Sequence, residues 1–254
     1  MAEENWKTSI TDATPEEIRI KGYSIDEIME KLSFAEAVFL LLKGELPTKA
    51  EAEIMNAILV STIDHGPTPP SVLAARTVMS GGNPINAAIA GGVLAIGDTH
   101  GGAIEQAARI LQEWAKRGED FATVSGELIK WLDETGMRMP GFGHQLHGKD
   151  PRTIKLFEMA ERNGLAGKHI ELCRTLESAL EKKLAKSLPI NINGAVAAVM
   201  SDIGLDWRLG KGIFIISRVP GLLAHAFEEM TREKPMRKLG PLAFDYDGPK
   251  DRDL

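Results

Sequence analysis

The sequence is poor in cysteine, in long apolar runs and in clusters of basic residues. Its 254 residues include a single cysteine, Cys173, which excludes an internal disulfide framework and a zinc site built from several cysteines. Because Cys173 lies in the apolar-periodic stretch 170–173, we expect a buried hydrophobic side chain and not a nucleophile. Apolar runs are broken by glycine, serine or a charged residue well before the ~18 residues of a membrane span, so no transmembrane helix is expected.

Positive charge is also scarce. Lysine plus arginine number 30 and aspartate plus glutamate number 36, so the net charge is −6. Non-specific nucleic-acid binding rests on the neutralisation of phosphates, which makes this chain a poor candidate for it, although a local basic pocket for a small anion stays open. The N-terminus has neither the basic nor the apolar region of a signal peptide, which predicts a cytoplasmic protein.

Helical patterning runs along almost the whole chain. Three segments of the form Ser/Thr-x-x-Glu precede apolar runs and predict capping boxes, at Ser24–Glu27, Ser33–Glu36 and Thr48–Glu51. The second of these helices should end at Gly44. No series of alternating strands bounded by turns is found, so the predicted fold class is all-α. Further helices are predicted at about 70–79, 85–96, 101–117, 121–135, 151–163, 168–186, 193–204 and 209–230.

Three of the six histidines stand beside glycine or proline at element boundaries. They are His65 in Asp-His-Gly-Pro, His100 in Thr-His-Gly-Gly-Ala and His144 in Pro-Gly-Phe-Gly-His. Functional groups concentrate at such places, because glycine lets the backbone approach a ligand closely. His100 precedes a helix start, where free N–H groups favour an anion or a developing oxyanion. Each histidine alone is more simply interpreted as structural, but the three together favour a functional site.

Three arginines are further candidates for the functional site. Arg218 interrupts an apolar run, and a buried guanidinium needs an anionic partner. That partner is either an acidic side chain of the same chain or a substrate carboxylate held bidentately. Arg152 follows Asp150 and Pro151, and Arg237 ends a turn; taken singly, both are typical of surface residues.

The sequence lacks the motifs of several other kinds of functional site. His144-x-x-His147 with Asp150 could form half of a metal site, but no further ligand pair has convincing spacing, so no metal is expected. The motifs of P-loops, dinucleotide-binding folds and nucleophile elbows do not occur. The lysine-rich run at 182–186 is either a solvated helix face or a binding site for cofactor phosphates.

The ordered set of His-Gly-Gly-Ala at 100–103, Pro-Gly-Phe-Gly-His at 140–144 and Asp-Pro-Arg at 150–152 resembles citrate synthase-like enzymes. Within them the chain looks most like citryl-CoA lyase, including the C-terminal module of ATP-citrate lyase. Citrate synthases carry a long helical stretch between the segments that correspond to 44–48 and 64–67. Here about one helix joins them, which favours the lyase branch.

This resemblance implies a compact citrate synthase-like multi-helix fold. A large helical domain would begin at 1–136, a small helical subdomain with the Pro-Gly-Phe-Gly-His loop would follow at 137–215, and 216–254 would return to the large domain and end in a tail. The resemblance also implies a homodimer or homotetramer, coenzyme A as part of the substrate thioester, and no metal.

The histidines receive roles from the resemblance. His144 would move the proton of the tertiary hydroxyl of citryl-CoA, and His65 would help to hold the four-carbon portion. His100 would donate a hydrogen bond to the thioester carbonyl oxygen as it becomes an enolate. The implied reaction is retro-Claisen cleavage of citryl-CoA to acetyl-CoA and oxaloacetate.

The basic side chains and one loop receive binding roles in the same way. Arg152 and Arg218 would clamp the carboxylates, and Arg237 would reach into the site of the neighbouring subunit. The neighbours of coenzyme A would be Pro140, Gly141, Phe142, Gly143, His147, Lys149 and Lys186.

One position departs from the family pattern Asn-Val/Ile-Asp-Gly, whose aspartate acts as acid and base at the acetyl methyl carbon. The chain has Asn193 there, and an amide cannot shuttle a proton. Asp202 and Asp206 should not reach the same point. The chain is therefore a variant made to trap ligand, an enzyme that uses water or another group, or a relative that binds CoA thioesters without efficient turnover. A citrate or methylcitrate synthase-like condensing enzyme is the alternative within the class.

Overall fold

The computed structural model describes residues 6–143, 150–237, 245–249 and 252–253. Within these ranges the chain forms eleven α-helices and one small sheet, which confirms the all-α fold class. The helices are α1 (Ile25–Lys31), α2 (Phe34–Lys43), α3 (Lys49–Ser61), α4 (Pro70–Ser80), α5 (Ile85–Leu94), α6 (Ala103–Trp114), α7 (Phe121–Thr135), α8 (Pro151–Arg162), α9 (Lys168–Leu184), α10 (Ile192–Asp202) and α11 (Gly210–Arg232). The division into two domains stays a prediction.

The sheet near the N-terminus was not expected. Its antiparallel strands are β1 (Thr11–Ala13), β2 (Ile18–Ile20) and β3 (Tyr23–Ser24), in that order. Strands of two or three residues are too short to show the alternation of apolar and polar residues that predicts a strand. Sequence reasoning therefore had no signal for them.

The start signals of the first helices are correct in two cases and wrong in one. Ser33 and Thr48 form complete capping boxes at α2 and α3, and α2 ends at Gly44 with a φ of 87°. Ser24 precedes α1 but makes no side-chain cap. The carboxylate of Glu27 pairs instead with Lys31, 2.7 Å away on the next turn.

Helix α10 lies at the centre of the core. The segment Ala195–Met200 is fully buried, as its small apolar residues predict, and it packs against α6, α8 and α9. Cys173 on α9 is also fully buried, and burial raises its thiol pKa, which confirms the interpretation as a hydrophobic residue. The start of α10 is thereby fixed in position, and this start reaches the site described below.

Helices α4, α5 and α11 pack together beside this core. The approach is close because Gly92 of α5 faces Ser71 and Leu222, where a Cβ would lie 2.9 Å from the Ser71 carbonyl oxygen. Gly221 of α11 similarly leaves room for the backbone at Ile63. These contacts bring the 62–70 segment, the start of α4 and the middle of α11 to one place.

Candidate active site

A cavity of about 460 Å³ opens where these segments meet the starts of α6, α8 and α10. Its walls bring together five residues singled out in the sequence: His65, His100, Arg152, Asn193 and Arg218. No carboxylate side chain from the described part of the chain lines it. With two guanidinium groups and no acid among the described residues of its walls, the cavity is suited to an anionic ligand.

Arg218 is almost completely buried on α11, with 3% of its surface exposed. Its Nε donates to the carbonyl oxygen of Thr62 at 2.9 Å, and its guanidinium lies 4.9 Å from the centre of the Phe214 ring. Its Nη1 is buried and has no hydrogen-bond partner among the residues that the structure describes. Burial lowers the pKa of Arg218; Asp64 acts to raise it and Arg152 to lower it. A buried cation that lines the cavity and keeps an unused donor favours a ligand carboxylate over an internal acid.

Arg152 is held in place from its own helix start. Asp150, which caps α8, accepts from Nε of Arg152 at 3.0 Å and from Nη2 at 2.8 Å, while Nη1 reaches the carbonyl oxygen of Ser61 at 3.4 Å. The Asp150 carboxylate is buried and also accepts from the backbone N–H of Ile192 at 3.3 Å. Burial acts to raise its pKa, but the hydrogen bonds and charge of Arg152 outweigh this and keep the pKa below its usual value. Asp150 thus joins Arg152, α8 and α10.

His100 occupies a turn that only glycine neighbours permit. Gly101 has a φ of 89°, and a Cβ on Gly102 would lie 2.6 Å from the Cα of Asp98. This turn explains why α6 begins at Ala103 and not at 101. The Nε2 of His100 lies 2.8 Å from Oγ of the buried Ser71, which leaves Nδ1 as the ring nitrogen available to a ligand. Burial, then the charges of Arg218 and His65, lower the pKa of His100, so the ring is neutral near pH 7.

His65 follows a tightly bound aspartate. Asp64 accepts from the backbone N–H of Gly66 at 2.9 Å and from Nε2 of His225 at 3.0 Å. Gly66 has a φ of 77°, which a side chain would strain. The turn therefore fixes His65 at the cavity wall through its neighbours in the chain.

Asn193 lies on the wall formed by the first turn of α10. Neither of the two nearby aspartates lines the cavity, as expected. Asp202 accepts from the N–H groups of Gly167, His169 and Ile170 at the start of α9, and Asp206 pairs with Arg208.

The Pro140–Gly143 loop contacts the backbone before and within this first turn, but its four residues do not line the cavity. Phe142 pairs with Ile190 as an antiparallel bridge, and the Gly143 N–H donates to the carbonyl oxygen of Pro189 at 2.7 Å. The proposed contact of this loop with coenzyme A stays a prediction.

Several sequence-predicted residues are not at the cavity. Lys186 is exposed beyond the end of α9, and Arg237 is bound by Glu229 of its own chain at 2.8 and 2.6 Å. A role for Arg237 in a neighbouring subunit stays a prediction. The positions His144, His147 and Lys149 lie outside the described residues.

Two residues that sequence reasoning missed complete the site: Ser71 beside His100, and Thr62, whose carbonyl oxygen holds Arg218. Ser71 had no signal beyond its place near a helix start. Asp150 was noticed as a possible metal ligand and as part of the Asp-Pro-Arg motif, but not as the partner of Arg152. In the described ranges no three His, Cys, Asp or Glu side chains are grouped as metal ligands, and no helix is long and apolar enough to cross a membrane. The absence of a metal stays a prediction.

Similar proteins share this arrangement of helices. A citryl-CoA lyase structure from Hydrogenobacter thermophilus is 44% identical, with a TM-score of 0.92, and the match covers 98% of this chain and 97% of that one. An ATP citrate lyase structure from Methanothrix soehngenii, in complex with citrate and coenzyme A, is 21% identical with a TM-score of 0.83. It shares the fold over 99% of this chain and 43% of that chain.

A curated relative adds a second comparison. Citrate synthase 2 of Bacillus subtilis is 32% identical over 235 residues, which are 90% of this chain and 60% of the relative. The chain thus spans 60% of that protein's length, which is less than two thirds. The family model for the citrate synthase C-terminal domain matches residues 2–53 and 47–239. The chain belongs to the citrate synthase family.

Proposed function

We propose that the chain is a citryl-CoA lyase, which cleaves citryl-CoA to acetyl-CoA and oxaloacetate. The observation that carries this proposal is the unused donor of buried Arg218 in the same cavity as neutral His100. The first group suits a carboxylate, and the second suits a carbonyl oxygen that becomes an enolate. Citryl-CoA carries both, and the similar Hydrogenobacter thermophilus protein is a citryl-CoA lyase.

The two arginines orient the substrate. Arg218 offers Nη1, and Arg152 is kept in one orientation by its two bonds to Asp150. A carboxylate held by guanidinium groups cannot rotate freely, so the bond to be broken keeps one direction relative to His100. Orientation of this kind lowers the activation free energy by roughly several kcal/mol.

The cleavage itself needs a base, a stabilised enolate and an acid. Loss of the tertiary hydroxyl proton lets the C–O electrons form the keto group of oxaloacetate, and the electrons of the breaking C–C bond enter the thioester. His100 then donates a hydrogen bond to the thioester oxygen, and the enolate carbon is finally protonated. His144 is the sequence-based candidate for the hydroxyl proton, and it lies outside the described residues.

Asn193 supports a second candidate function. It stands where the family pattern has an acid and base, and no carboxylate side chain among the described residues lines the cavity beside it. A CoA-thioester-binding protein without efficient turnover fits this observation. A condensing synthase is the alternative within the class, and the relatives from Bacillus subtilis carry that name.

We also propose that the chain is a homo-oligomer in the cytoplasm. Helix α5 is apolar along most of its length, yet Leu94 is 85% exposed, and Leu73 on α4 and Phe227 on α11 are about half exposed. Large exposed apolar side chains on three helices that pack together are typical of an interface. A second copy is the simplest partner, because two-fold dimers are the commonest assemblies.

The test supplies citryl-CoA to the purified chain and quantifies acetyl-CoA, oxaloacetate, citrate and free coenzyme A. A lyase gives acetyl-CoA and oxaloacetate in equal amounts. A synthase gives free coenzyme A and citrate, also when it starts from acetyl-CoA and oxaloacetate. Tight binding of coenzyme A by calorimetry without any product, even in Asn193→Asp, would support the binding protein and refute the lyase.

A further inference from the structure

The first turn of α10 and the Pro140–Gly143 loop are tied together by one side chain. The Oδ1 of Asn191 accepts from the N–H groups of Asn193 at 2.9 Å and Gly194 at 3.4 Å, and so caps α10. Its Nδ2 donates to the carbonyl oxygen of Gly143 at 2.8 Å. The carboxamide group of asparagine offers an acceptor oxygen and a donor nitrogen side by side, so one short side chain can make both contacts.

The backbone reinforces this connection. The Asn191 N–H donates to the carbonyl oxygen of Gly141 at 3.0 Å. Gly141 has a φ of 79°, and a Cβ there would lie 2.5 Å from the Cα of Gly194. A Cβ on Gly194 would collide with the carbonyl oxygen of Gly141. At Gly141 and Gly194 the loop and the helix start therefore touch through their backbones, and neither position has room for a side chain.

We infer that Asn191 is a positioning residue: its carboxamide locks the Pro140–Gly143 loop to the turn of α10 that presents Asn193 to the cavity. The inference rests on the proposed function, since it assigns to Asn191 a part in the reaction through Asn193. Asn191 itself also lines the cavity, but both ends of its side chain are engaged by the protein. Its contribution is the geometry of the wall.

Asn191→Asp removes the hydrogen bond that locks the loop to Asn191 and keeps the side-chain cap of α10. Aspartate is as good an N-cap as asparagine, so the start of α10 should persist. The donor to Gly143 is lost, and a carboxylate oxygen faces a carbonyl oxygen in its place. We expect the backbone amides of Gly143 and of position 191 to exchange with deuterium about tenfold faster, while those of Asn193 and Gly194 stay protected. We expect kcat for citryl-CoA to fall about tenfold with little change in melting temperature.

Two matched variants control for the substitution. Asp120 caps α7 with the same geometry, accepting from the N–H groups of Ala122 and Thr123, and α7 does not contribute to the cavity. Asp120→Asn should alter neither kcat nor exchange in the loop. Gly194→Ala should separate the loop from the helix by steric collision and reproduce the effect of Asn191→Asp. Gly126→Ala, in the open interior of α7, should not.

Unchanged exchange in the 140–143 loop of Asn191→Asp would overturn the lock. Faster exchange with an unchanged kcat would show that the lock has no part in positioning, and would also overturn the inference. A wild-type chain that cleaves no citryl-CoA would refute the proposed function instead. Exchange in the 140–143 loop then decides: faster exchange in Asn191→Asp upholds the lock, and unchanged exchange overturns it.

Discussion

The Nε2 atom of His100 lies 2.8 Å from the hydroxyl oxygen of Ser71. A neutral imidazole carries one proton, and the partner of one ring nitrogen decides which tautomer the other presents. If the Ser71 hydroxyl donates to Nε2, the proton of His100 is on Nδ1, where a thioester oxygen can accept it. The buried serine occupies Nε2 and so leaves Nδ1 as the ring nitrogen for a thioester oxygen.

Ser71→Ala should lower kcat for citryl-CoA cleavage by roughly five- to tenfold, because one hydrogen bond that orients the ring is worth about 1 kcal/mol. The KM for citryl-CoA should change little, since the carboxylate clamps are untouched. Steady-state kinetics check this. Ser125→Ala is the control, because the buried Ser125 hydroxyl has no partner in the described structure and lies on α7. Equal effects of the two variants would contradict the role of Ser71.

The pH profile should report the lowered pKa of His100. Because burial and neighbouring cations lower this pKa below the 6.5 of an ordinary histidine, the neutral ring persists to lower pH, and the acid limb of kcat should lie below 6.5. Stability follows the same sign: the unfolded chain binds this proton more readily, so the contribution of His100 is present above pH 6.5 and declines below it.

Arg218→Met should move that acid limb upward, since it removes a cation that lowers the pKa of His100. A kcat profile measured between about pH 4 and pH 8, ~0.5 pH units apart, resolves such a shift. An acid limb at or above the ordinary histidine value of 6.5 in the wild type would argue against a neutral, buried His100.

Asp150→Asn should destabilise the chain by roughly 3 kcal/mol, because it leaves the Arg152 guanidinium without its buried counter-charge. Denaturant unfolding near pH 7 measures this, and affinity for citrate should fall with it. The chain offers an exposed copy of the same motif: Asp206 accepts from Nε and Nη2 of Arg208 at 2.8 and 2.6 Å. Asp206→Asn should cost far less. Similar losses in both variants would mean that burial at Asp150 is unimportant.

Asn193→Asp should raise the rate of citryl-CoA cleavage by orders of magnitude, on the order of 10²–10⁴, because a carboxyl group can deliver a proton to the enolate carbon. Single-turnover quenching compares the two chains without interference from product release. An unchanged rate would refute the catalytic part given to position 193. Asp202→Asn would be a poor control, since Asp202 caps α9.

Leu94→Glu should dissociate the proposed oligomer, because it places a charge on the exposed apolar end of α5. Sedimentation velocity at several protein concentrations measures the result. Leu184→Glu, at an exposed leucine at the end of α9, should leave the assembly intact. A wild-type chain that sediments as a monomer at all concentrations would contradict the proposal.

The sequence was sufficient for the helices whose ends carry local chemistry. Ser33, Thr48 and Gly44 act through neighbours three or four residues away, so their patterns predicted α2 and α3 correctly. Ser24 carries the same pattern, but Glu27 pairs with Lys31 and the box does not form. The small sheet gave no pattern of sufficient length.

The residues of the candidate site also fall into those that the sequence predicted and those that it did not. His65, His100 and Arg218 stood out because their residue types conflict with apolar or glycine-rich surroundings, whereas Arg152 was singled out only through the family resemblance of the Asp-Pro-Arg motif. Ser71 and Thr62 could not be found, since one acts through a common hydroxyl and the other through a backbone oxygen. Ser71 is 29 positions from its partner His100, and Thr62 is 156 positions from its partner Arg218. Only the packing of α4 and α11 in the folded chain brings the residues of each pair together.

A crystal structure of the chain with coenzyme A and citrate tests the central claim most directly. The account predicts a citrate carboxylate within hydrogen-bond distance of Arg218 Nη1, a second one beside Arg152, and the thiol end of coenzyme A directed toward His100. Citrate bound away from these two guanidinium groups, or coenzyme A bound far from His100, would contradict it.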